Sequence, residues 1–468
     1  MKSKNLPSRP AAAFSKRKPR PGAAGGLVLD EAPRPFAGAE LSNRIPSLVS
    51  LWRSGEIRSE AADRGESLCE SPLMPQELRK VANALLALQR GLTGRRELPG
   101  LPYMESPELL GAYLLYYWPV SYLQASLALA ELGARPKKVL DLGSGPGPFA
   151  AALQDAGADE LLLVDSSPRA LSLARNLLDP REHARAGSKN RATRIETLAL
   201  DLESSAALPD GPFDLVSMGH CLNELWRDRS ASERFDLRLA LLKAAIKKLS
   251  PGGTLLVLEP ALLSTAGEAL ALRDALAAHG HAIAGPCPGS YPCPALAAGP
   301  DRSCHSEAEW FPPEPIASIA RAAGLDRRSV KATWFAVSRD SSTQEKAAYA
   351  TDTSTKPSDS TSSSGTSPLR LPRVVSDPML NKAGRLRFIL CSEGRLVTIS
   401  APLDDERARA MGFRSLRRGD RVLIENPEER ETGNLGIGPK TSFSIAARSP
   451  IPALRLAQPG LAKRGTHG

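Results

Sequence analysis

Through the middle of the chain, short apolar runs alternate with stretches in which apolar residues recur every three or four positions. KKVLDLG (137–143), ELLLVD (160–165), ETLALD (196–201), FDLVSMG (213–219) and GTLLVLEP (253–260) have the length and content of strands. Between them PFAAALQDAG, SPRALSLARNLL and DLRLALLKAAIKKL have the period of helices. PIASIARAAGL and SVKATWFAVSR (329–339) add a further helix and a closing strand. Strands that are apolar along their whole length, separated by helices, predict a parallel sheet covered on both faces. The expected fold is therefore α/β, a doubly wound Rossmann-like sheet over residues 136–340.

Upstream, residues 46–135 carry a helical pattern, with PQELRKVANALLALQRGL and a second helix opened by Ser-Pro-Glu. Pro119 is expected to kink or divide that second helix. Tyr113, Tyr116, Tyr117 and Trp118 are read as packing residues. Residues 1–45 show no hydrophobic period and read as a disordered basic arm. Residues 341–368 are nearly all small or polar and read as a Ser/Thr-rich linker. Beyond it GRLRFILC, GRLVTIS, DRVLIEN and TSFSIAA predict a small β-rich module over 369–450, followed by a flexible tail, 451–468.

Charge refines this outline. The net charge is +10, and nine Lys/Arg against three Asp/Glu in residues 1–45 place +6 of it in the arm. Such an arm suits a phosphate backbone or stays solvated. No apolar run reaches the roughly 18 residues needed to cross a bilayer, and the basic N-terminus is not followed by a hydrophobic segment. A membrane protein or a secreted one is therefore not expected. The expected compartment is a bacterial cytoplasm, with the mitochondrial matrix as the alternative, since a basic, acid-poor start also suits a transit peptide. Both are reducing, so the six cysteines read as thiolate ligands rather than disulfides.

The first chemical motif is VLDLGSGPG, which sets Asp141, Gly143, Gly145 and Gly147 where the first strand turns into a helix. Glycines there let backbone approach a ligand that any Cβ would block. Asp165 ends the second strand, near where an acid can take ribose hydroxyls. Asp141 would repel a dinucleotide's pyrophosphate and suits a cationic cofactor. No catalytic residue is identified. GHCLNEL (219–225) lies where a methyl acceptor would enter, and His220, Asn223 or Glu224 could orient or deprotonate it; Cys221 is expected to be a buried, inert thiol. The series D-L-G-S-G-P-G, V-D, A-L-D (ending at Asp201) and L-S-P-G-G resembles the motifs of class I S-adenosylmethionine-dependent methyltransferases. That resemblance implies that Asp141 and the glycines surround the methionine part, Asp165 the ribose and Asp201 the adenine edge.

The second is GPCPGSYPCPALAAGPDRSCH (285–305), an insertion bearing Cys287, Cys293 and Cys304. Their C-x5-C and C-x10-C spacings are not those of C-x2-C zinc knuckles. Cys391 is the leading fourth ligand, with Cys69 and Cys221 in reserve and His305 placed behind the ligands. Four thiolates can hold a zinc ion or an iron–sulfur cluster, and the wide spacing favours the cluster. Prolines 286, 288, 292 and 294 reduce the freedom the loop loses on ordering.

Taken together, A-Y-L-L-Y-Y-x-P (112–119), the glycine motif, L-V-L-E-P (256–260), the P-C-P-x4-C-P loop with its later C-H, and L-C-x-x-G (390–394) resemble the methyltransferase-like family of small-ribosomal-subunit assembly proteins of mitochondria and bacteria. The resemblance implies a four-iron four-sulfur cluster on Cys287, Cys293, Cys304 and Cys391, binding to small-subunit rRNA, and a role in ribosome assembly or translation, with methyl transfer left open. A small-molecule or other RNA methyltransferase with a zinc site is the alternative; a monomer without membrane attachment is expected in either case. After His305 the chain departs from the family pattern of aromatic and basic residues, running SEAEWFPP instead.

Overall fold

The computed structural model describes residues 38–56, 72–94, 98, 103–178, 193–204, 207–340 apart from 288, 290, 300, 301, 326 and 327, and then 371–430 and 433–449. The linker, the tail, Cys69 and the arm up to residue 37 lie outside the described residues.

Helix α1 (Gly38–Glu56) begins inside the stretch that composition assigns to the arm. Its Arg44 counts toward the basic excess in the sequence, yet in the fold it is buried. It donates to Asp155 from Nε and Nη2 at 3.1 and 2.6 Å and to the Ala151 carbonyl at 3.3 Å. Charge alone does not separate a solvated arginine from one that closes a buried pair. Helices α2 (Pro75–Gln89), α3 (Pro107–Ala112) and α4 (Trp118–Leu132) extend this layer. Between α3 and α4 the chain widens into a π-type turn, Tyr113–Tyr117. Pro119 has no N–H to donate to the carbonyl four residues back, so the regular ladder opens at the position its sequence predicts.

The central sheet follows as β1 (Lys138–Leu142), α5 (Pro148–Asp155), β2 (Glu160–Asp165), α6 (Pro168–Leu178), β3 (Arg194–Ala199), β4 (Phe213–Gly219), α7 (Ala231–Lys247), β5 (Leu249–Pro260), α8 (Leu263–Ala278), β6 (Ala282–Gly285), α9 (Pro294–Ala297), β7 (Ser306–Glu309), α10 (Ile316–Ala322) and β8 (Ser329–Ser338). The strands lie in the order β3-β2-β1-β4-β5-β8-β6, with β7 also on β8. β1 is parallel to both β2 and β4, so the winding reverses between β1 and β4 and a crevice opens beyond their C-terminal ends. β8 runs antiparallel to β5. This is the class I methyltransferase fold that the motif series implies. Successive residues of β1 feed opposite layers, Val139 into one apolar cluster and Leu140 and Leu142 into the other, which is why its sequence is apolar on both faces.

The edge of this sheet is split. β6 pairs with the C-terminal half of β8, Ala282 opposite Ser338, and β7 with its N-terminal half, Ser306 opposite Ala332. Residues 286–305, the cysteine loop, bridge the two. The departure SEAEWFPP has its physical reason here: Ser306–Glu309 complete the sheet and Trp310 is buried beneath it.

A second sheet holds β9 (Arg373–Val374), β10 (Met379–Leu380), β11 (Arg385–Ser392), β12 (Arg395–Pro402), β13 (Arg421–Glu425), β14 (Glu428–Glu429), β15 (Leu435–Gly436) and β16 (Ser442–Ala447), with helix α11 (Glu406–Ala410) after β12. β11 alternates strictly: Leu386, Phe388 and Leu390 are fully buried in a small core with Phe413 and Phe443, and Arg385, Arg387, Ile389 and Cys391 take the other face. Phe413 meets Phe388 and Phe443 edge-on, at centroid distances of 5.4 and 5.5 Å. Such pairs add about 0.5–1.5 kcal/mol beyond burial.

Candidate cofactor pocket and thiol centre

The crevice at the ends of β1 and β4 is a pocket of about 1070 Å³. The three glycines of its turn have different tasks. Gly143 has φ +68°, and a Cβ there would lie 2.3 Å from Cys221 Cβ. At Gly147 a Cβ would meet Ala174 Cβ of α6 at 3.0 Å. Gly145 alone faces open space, its nearest neighbour being Met104 Cε at 3.9 Å. All three adopt the left-handed backbone that favours glycine, with φ +52° at Gly145 and +76° at Gly147; packing adds to this at the first two, and access to the pocket at the third. The turn is braced from outside by Trp118, which is fully buried and donates from Nε1 to the Pro146 carbonyl at 2.9 Å.

Asp141, at the end of β1, accepts a 2.6 Å hydrogen bond from Ser217 Oγ on Oδ1, while Oδ2 is buried with no partner. Burial pushes its carboxyl up to about 7, against the lowering effect of Ser217. Asp165 receives the backbone N–H of Gly145 at 2.8 Å and of Ser167 at 2.9 Å. Burial nevertheless raises it too, with Glu105 nearby adding to the effect. Glu105, which the sequence reading missed, accepts from Ser167 Oγ at 2.5 Å in the same pocket. Asp201 is at the rim and exposed, and its own turn engages it: Glu203 N–H and Ser204 Oγ donate to it at 2.9 and 2.8 Å. Four acids around one pocket, one with a bare buried oxygen, suit a cationic ligand. An unmet buried acceptor is costly until something donates to it. S-adenosylmethionine, with its ammonium and sulfonium, fits that requirement.

At the acceptor side Cys221 donates to the Leu142 carbonyl at 3.2 Å, and burial raises its thiol far above the ordinary range, so it packs rather than reacts. His220 has φ +61° and meets Gln124 Oε1 through Nε2 at 2.7 Å. Asn223 Nδ2 donates to the His220 carbonyl at 2.7 Å, and its backbone N–H to Glu259 at 3.3 Å. Asn223 thus holds the loop, while Glu224 lines the pocket. Tyr113 and Tyr117, expected only to pack, also line it as a stacked pair with centroids 6.0 Å apart; Tyr116 and Trp118 are buried as expected. Four residues apart, these two rings share one helical face, as helical periodicity places them; that this face lines the pocket depends on how the helix packs on the sheet.

The other site lies between the sheets. Cys287, Cys293, Cys304 and Cys391 all line one cavity of about 600 Å³, joined by His305, Arg373 and Arg421. Interaction with the Cys391 thiol, helped by the charges of Arg373 and Arg421, holds Cys287 below the ordinary thiol range against the raising effect of its burial. Cys391 is raised chiefly by the same interaction, and burial raises Cys304 and Cys293. Among the described residues, no three Cys, His, Asp or Glu side chains are gathered closely enough to ligate one ion in this arrangement. The donor set still fits a thiolate-bound centre, with four sulfurs lining one cavity and two guanidinium groups, the buried one of Arg373 and the half-buried one of Arg421, to offset their charge. Cys221 is at the other site.

Sequence reading missed what secures the loop. Arg273 of α8 donates from Nη2 to the Gly289 carbonyl at 2.9 Å and from Nη1 to that of Tyr291, and Asp274 accepts the Cys293 N–H at 2.8 Å. Thr333 Oγ1 donates to the Cys304 carbonyl at 2.8 Å. His305 Nε2 faces Glu307 at 3.4 Å, and Lys331 approaches the same carboxylate at 2.9 Å. Both lower Glu307, against the opposing effect of its burial.

Residues 110–398, more than half the chain, match the family model described as mitochondrial small ribosomal subunit Rsm22. The match includes the glycine turn and all four thiols. The release factor glutamine methyltransferases of Escherichia coli (strain K12) and Shigella flexneri are each 40% identical over 147 residues, covering 29% of this chain and 51% of theirs. The chain thus spans about half the length of the curated relatives it matches. Among solved structures, a putative RNA methyltransferase from Pyrococcus horikoshii is 14% identical, with coverage of 47% of this chain and 84% of that one and a TM-score of 0.27. The plantazolicin methyltransferase BpumL in complex with SAH is 12% identical, with 56% and 98% covered and a TM-score of 0.27. The fold assignment rests on the strand order above rather than on these scores.

Proposed function

Because the chain belongs to the family described as mitochondrial small ribosomal subunit Rsm22, we propose that it is an S-adenosylmethionine-binding, methyltransferase-like protein that binds small-subunit rRNA during ribosome assembly or translation. The observation that carries the cofactor assignment is the buried, partnerless Oδ2 of Asp141 beside the open turn at Gly145. S-adenosylmethionine would supply an activated methyl group there. Asp141 and Asp165 would orient it, and Tyr113, Tyr117 and His220 would flank the incoming acceptor; these roles are proposals from geometry. The family description fits the mitochondrial alternative for the compartment, and no described helix is long and apolar enough to cross a membrane. The four cysteines are proposed to hold a four-iron four-sulfur cluster, for which the support is their convergence on one cavity.

The test is calorimetric titration of S-adenosylmethionine into the full chain and its Asp141→Asn variant. A hydrogen bond to a charged group is worth about 1.5–3 kcal/mol, so the variant should bind at least about tenfold more weakly. Failure of the unaltered chain to bind would remove the cofactor from the reading.

A further inference from the structure

Arg373 enters the thiol cavity from the second sheet. On β9 it lies directly opposite Cys391 of β11 and opposite Arg421 of β13, and residues directly opposite in antiparallel strands share a face. One sulfur and two guanidinium groups therefore form a row turned toward the first sheet. Arg421 crosses by donating from Nη2 to the Pro286 carbonyl at 2.6 Å. Arg373 crosses by donating to Glu131 of α4, from Nε at 2.9 Å and also from Nη2, which reaches Ser306 Oγ at 3.3 Å as well. Ser306 is fixed in turn, donating to Glu131 at 3.0 Å and accepting from Trp334 Nε1 at 2.9 Å. The third nitrogen, Arg373 Nη1, is buried with no partner.

A guanidinium held this firmly through two nitrogens, with the third left bare beside a cavity of sulfurs, is a donor waiting for an acceptor. Charge points the same way. Arg373 and Arg421 bring two positive charges, and Glu131 returns one negative. Arg273, which also lines the cavity, is paired with Asp274, and Arg302 and Glu393 line it with opposite charges, so the remainder is positive and suits thiolates rather than neutral thiols. We propose that Arg373 is a positioning residue for the thiol centre. Clamped to Glu131, it offers Nη1 and its charge to thiolate sulfur, so that filling the cavity and docking the second sheet on the first become one coupled equilibrium. This rests on the reading of the four cysteines as one ligand set, and goes beyond it by assigning the charge compensation and the coupling to a residue outside that set.

The experiment uses the full chain, kept anaerobic and reduced, with cobalt(II) as probe. Thiolate-to-cobalt absorption reports sulfur ligation without any assay of activity. Competition with a chelator gives the affinity for the unaltered chain and for Arg373→Met, Arg373→Lys and Glu131→Gln. Loss of a partner behind metal ligands typically costs about 10–100-fold in affinity. Arg373→Met should lose that much, Arg373→Lys less, and Glu131→Gln an intermediate amount because the clamp is weakened. A protease site placed between residues 340 and 371 supplies a second readout. After cleavage, the C-terminal fragment of the unaltered chain should co-elute with the remainder when cobalt is bound, and that of Arg373→Met should separate. A melting transition for each variant before cleavage identifies one that has not folded, in which case Arg373→Lys carries the comparison. Unchanged cobalt affinity and unchanged co-elution in folded Arg373 variants would overturn the proposal while leaving the ligand set intact. An unaltered chain that takes up neither cobalt nor, on anaerobic reconstitution, iron and sulfide would overturn both.

Discussion

Gly143 and Gly145 sit two positions apart in one motif, yet their surroundings demand different things of them. Gly143→Ala would combine a positive φ with a methyl 2.3 Å from Cys221 Cβ. It should cost about 2–4 kcal/mol, read as a lowered midpoint in denaturant unfolding. Gly145→Ala meets no close neighbour but shares the left-handed backbone, φ +52°, so it should cost about 1–2 kcal/mol while its methyl group enters the pocket and weakens S-adenosylmethionine binding. Asp141 adds a pH dependence. Its folded carboxyl keeps its proton up to about 7, whereas the unfolded one releases it near 3.8. The folded state therefore loses stability as pH rises across that window. A cationic ligand favours the ionised form, so cofactor affinity should climb as pH rises toward about 7 and level off above it. Asp141→Asn should flatten that profile in titrations across the same range. Asp141, Asp165 and the glycines were legible in the sequence because a strand end, a tight turn and an acid are local features. The partnerless oxygen was not, since it depends on how Ser217 from another strand meets it.

Helices and strands were legible to the extent that their sequences repeat. The five central strands and β8 stand where apolar runs predict them, as do β11, β12, β13 and β16. What periodicity could not supply are β6 and β7, four residues each, which become strands only because β8 offers both halves of its edge. The two-residue strands of the second sheet are likewise products of pairing. α1 was concealed for another reason: Gly, Pro and basic residues around it read as an arm, while Arg44 is satisfied by Asp155 far along the chain. At this scale the pocket depends on α4. Trp118→Phe keeps an aromatic ring but removes the pyrrole part of the indole with its donor to the Pro146 carbonyl, leaving a buried acceptor unmet. The expected cost is about 1–3 kcal/mol, and thermal unfolding should show cofactor stabilising the variant less than the unaltered chain.

For the molecule as a whole, the arrangement joins the apolar layers of two sheets through a polar seam. The first sheet has a buried cluster on each face and the second has one of its own, and the seam between the sheets holds Arg373–Glu131, Arg421 with the Pro286 carbonyl, and the four sulfurs. Gly394, from the L-C-x-x-G motif, belongs to the seam too, because a Cβ there would come within 3.2 Å of Tyr291 Cβ. The sequence grouped Cys287, Cys293 and Cys304 with Cys391 as the leading fourth, the family resemblance implied all four as one set, and in the structure all four line one cavity; Glu131, Arg373 and Arg421 carried no motif and could be found only once the sheets were seen together. The two sites are built from separate residues, so cofactor binding and docking of the second sheet should fail independently: Asp141→Asn should leave docking intact, and Cys391→Ser should leave the cofactor pocket formed. The most direct check on the central claim is metal and acid-labile sulfide analysis, with an absorption spectrum, of the anaerobically purified full chain beside Cys391→Ser. The account predicts a brown protein carrying about four iron and four sulfide per chain, and loss of both in the variant. A colourless chain without iron or sulfide, or a variant that retains the unaltered content, would contradict it.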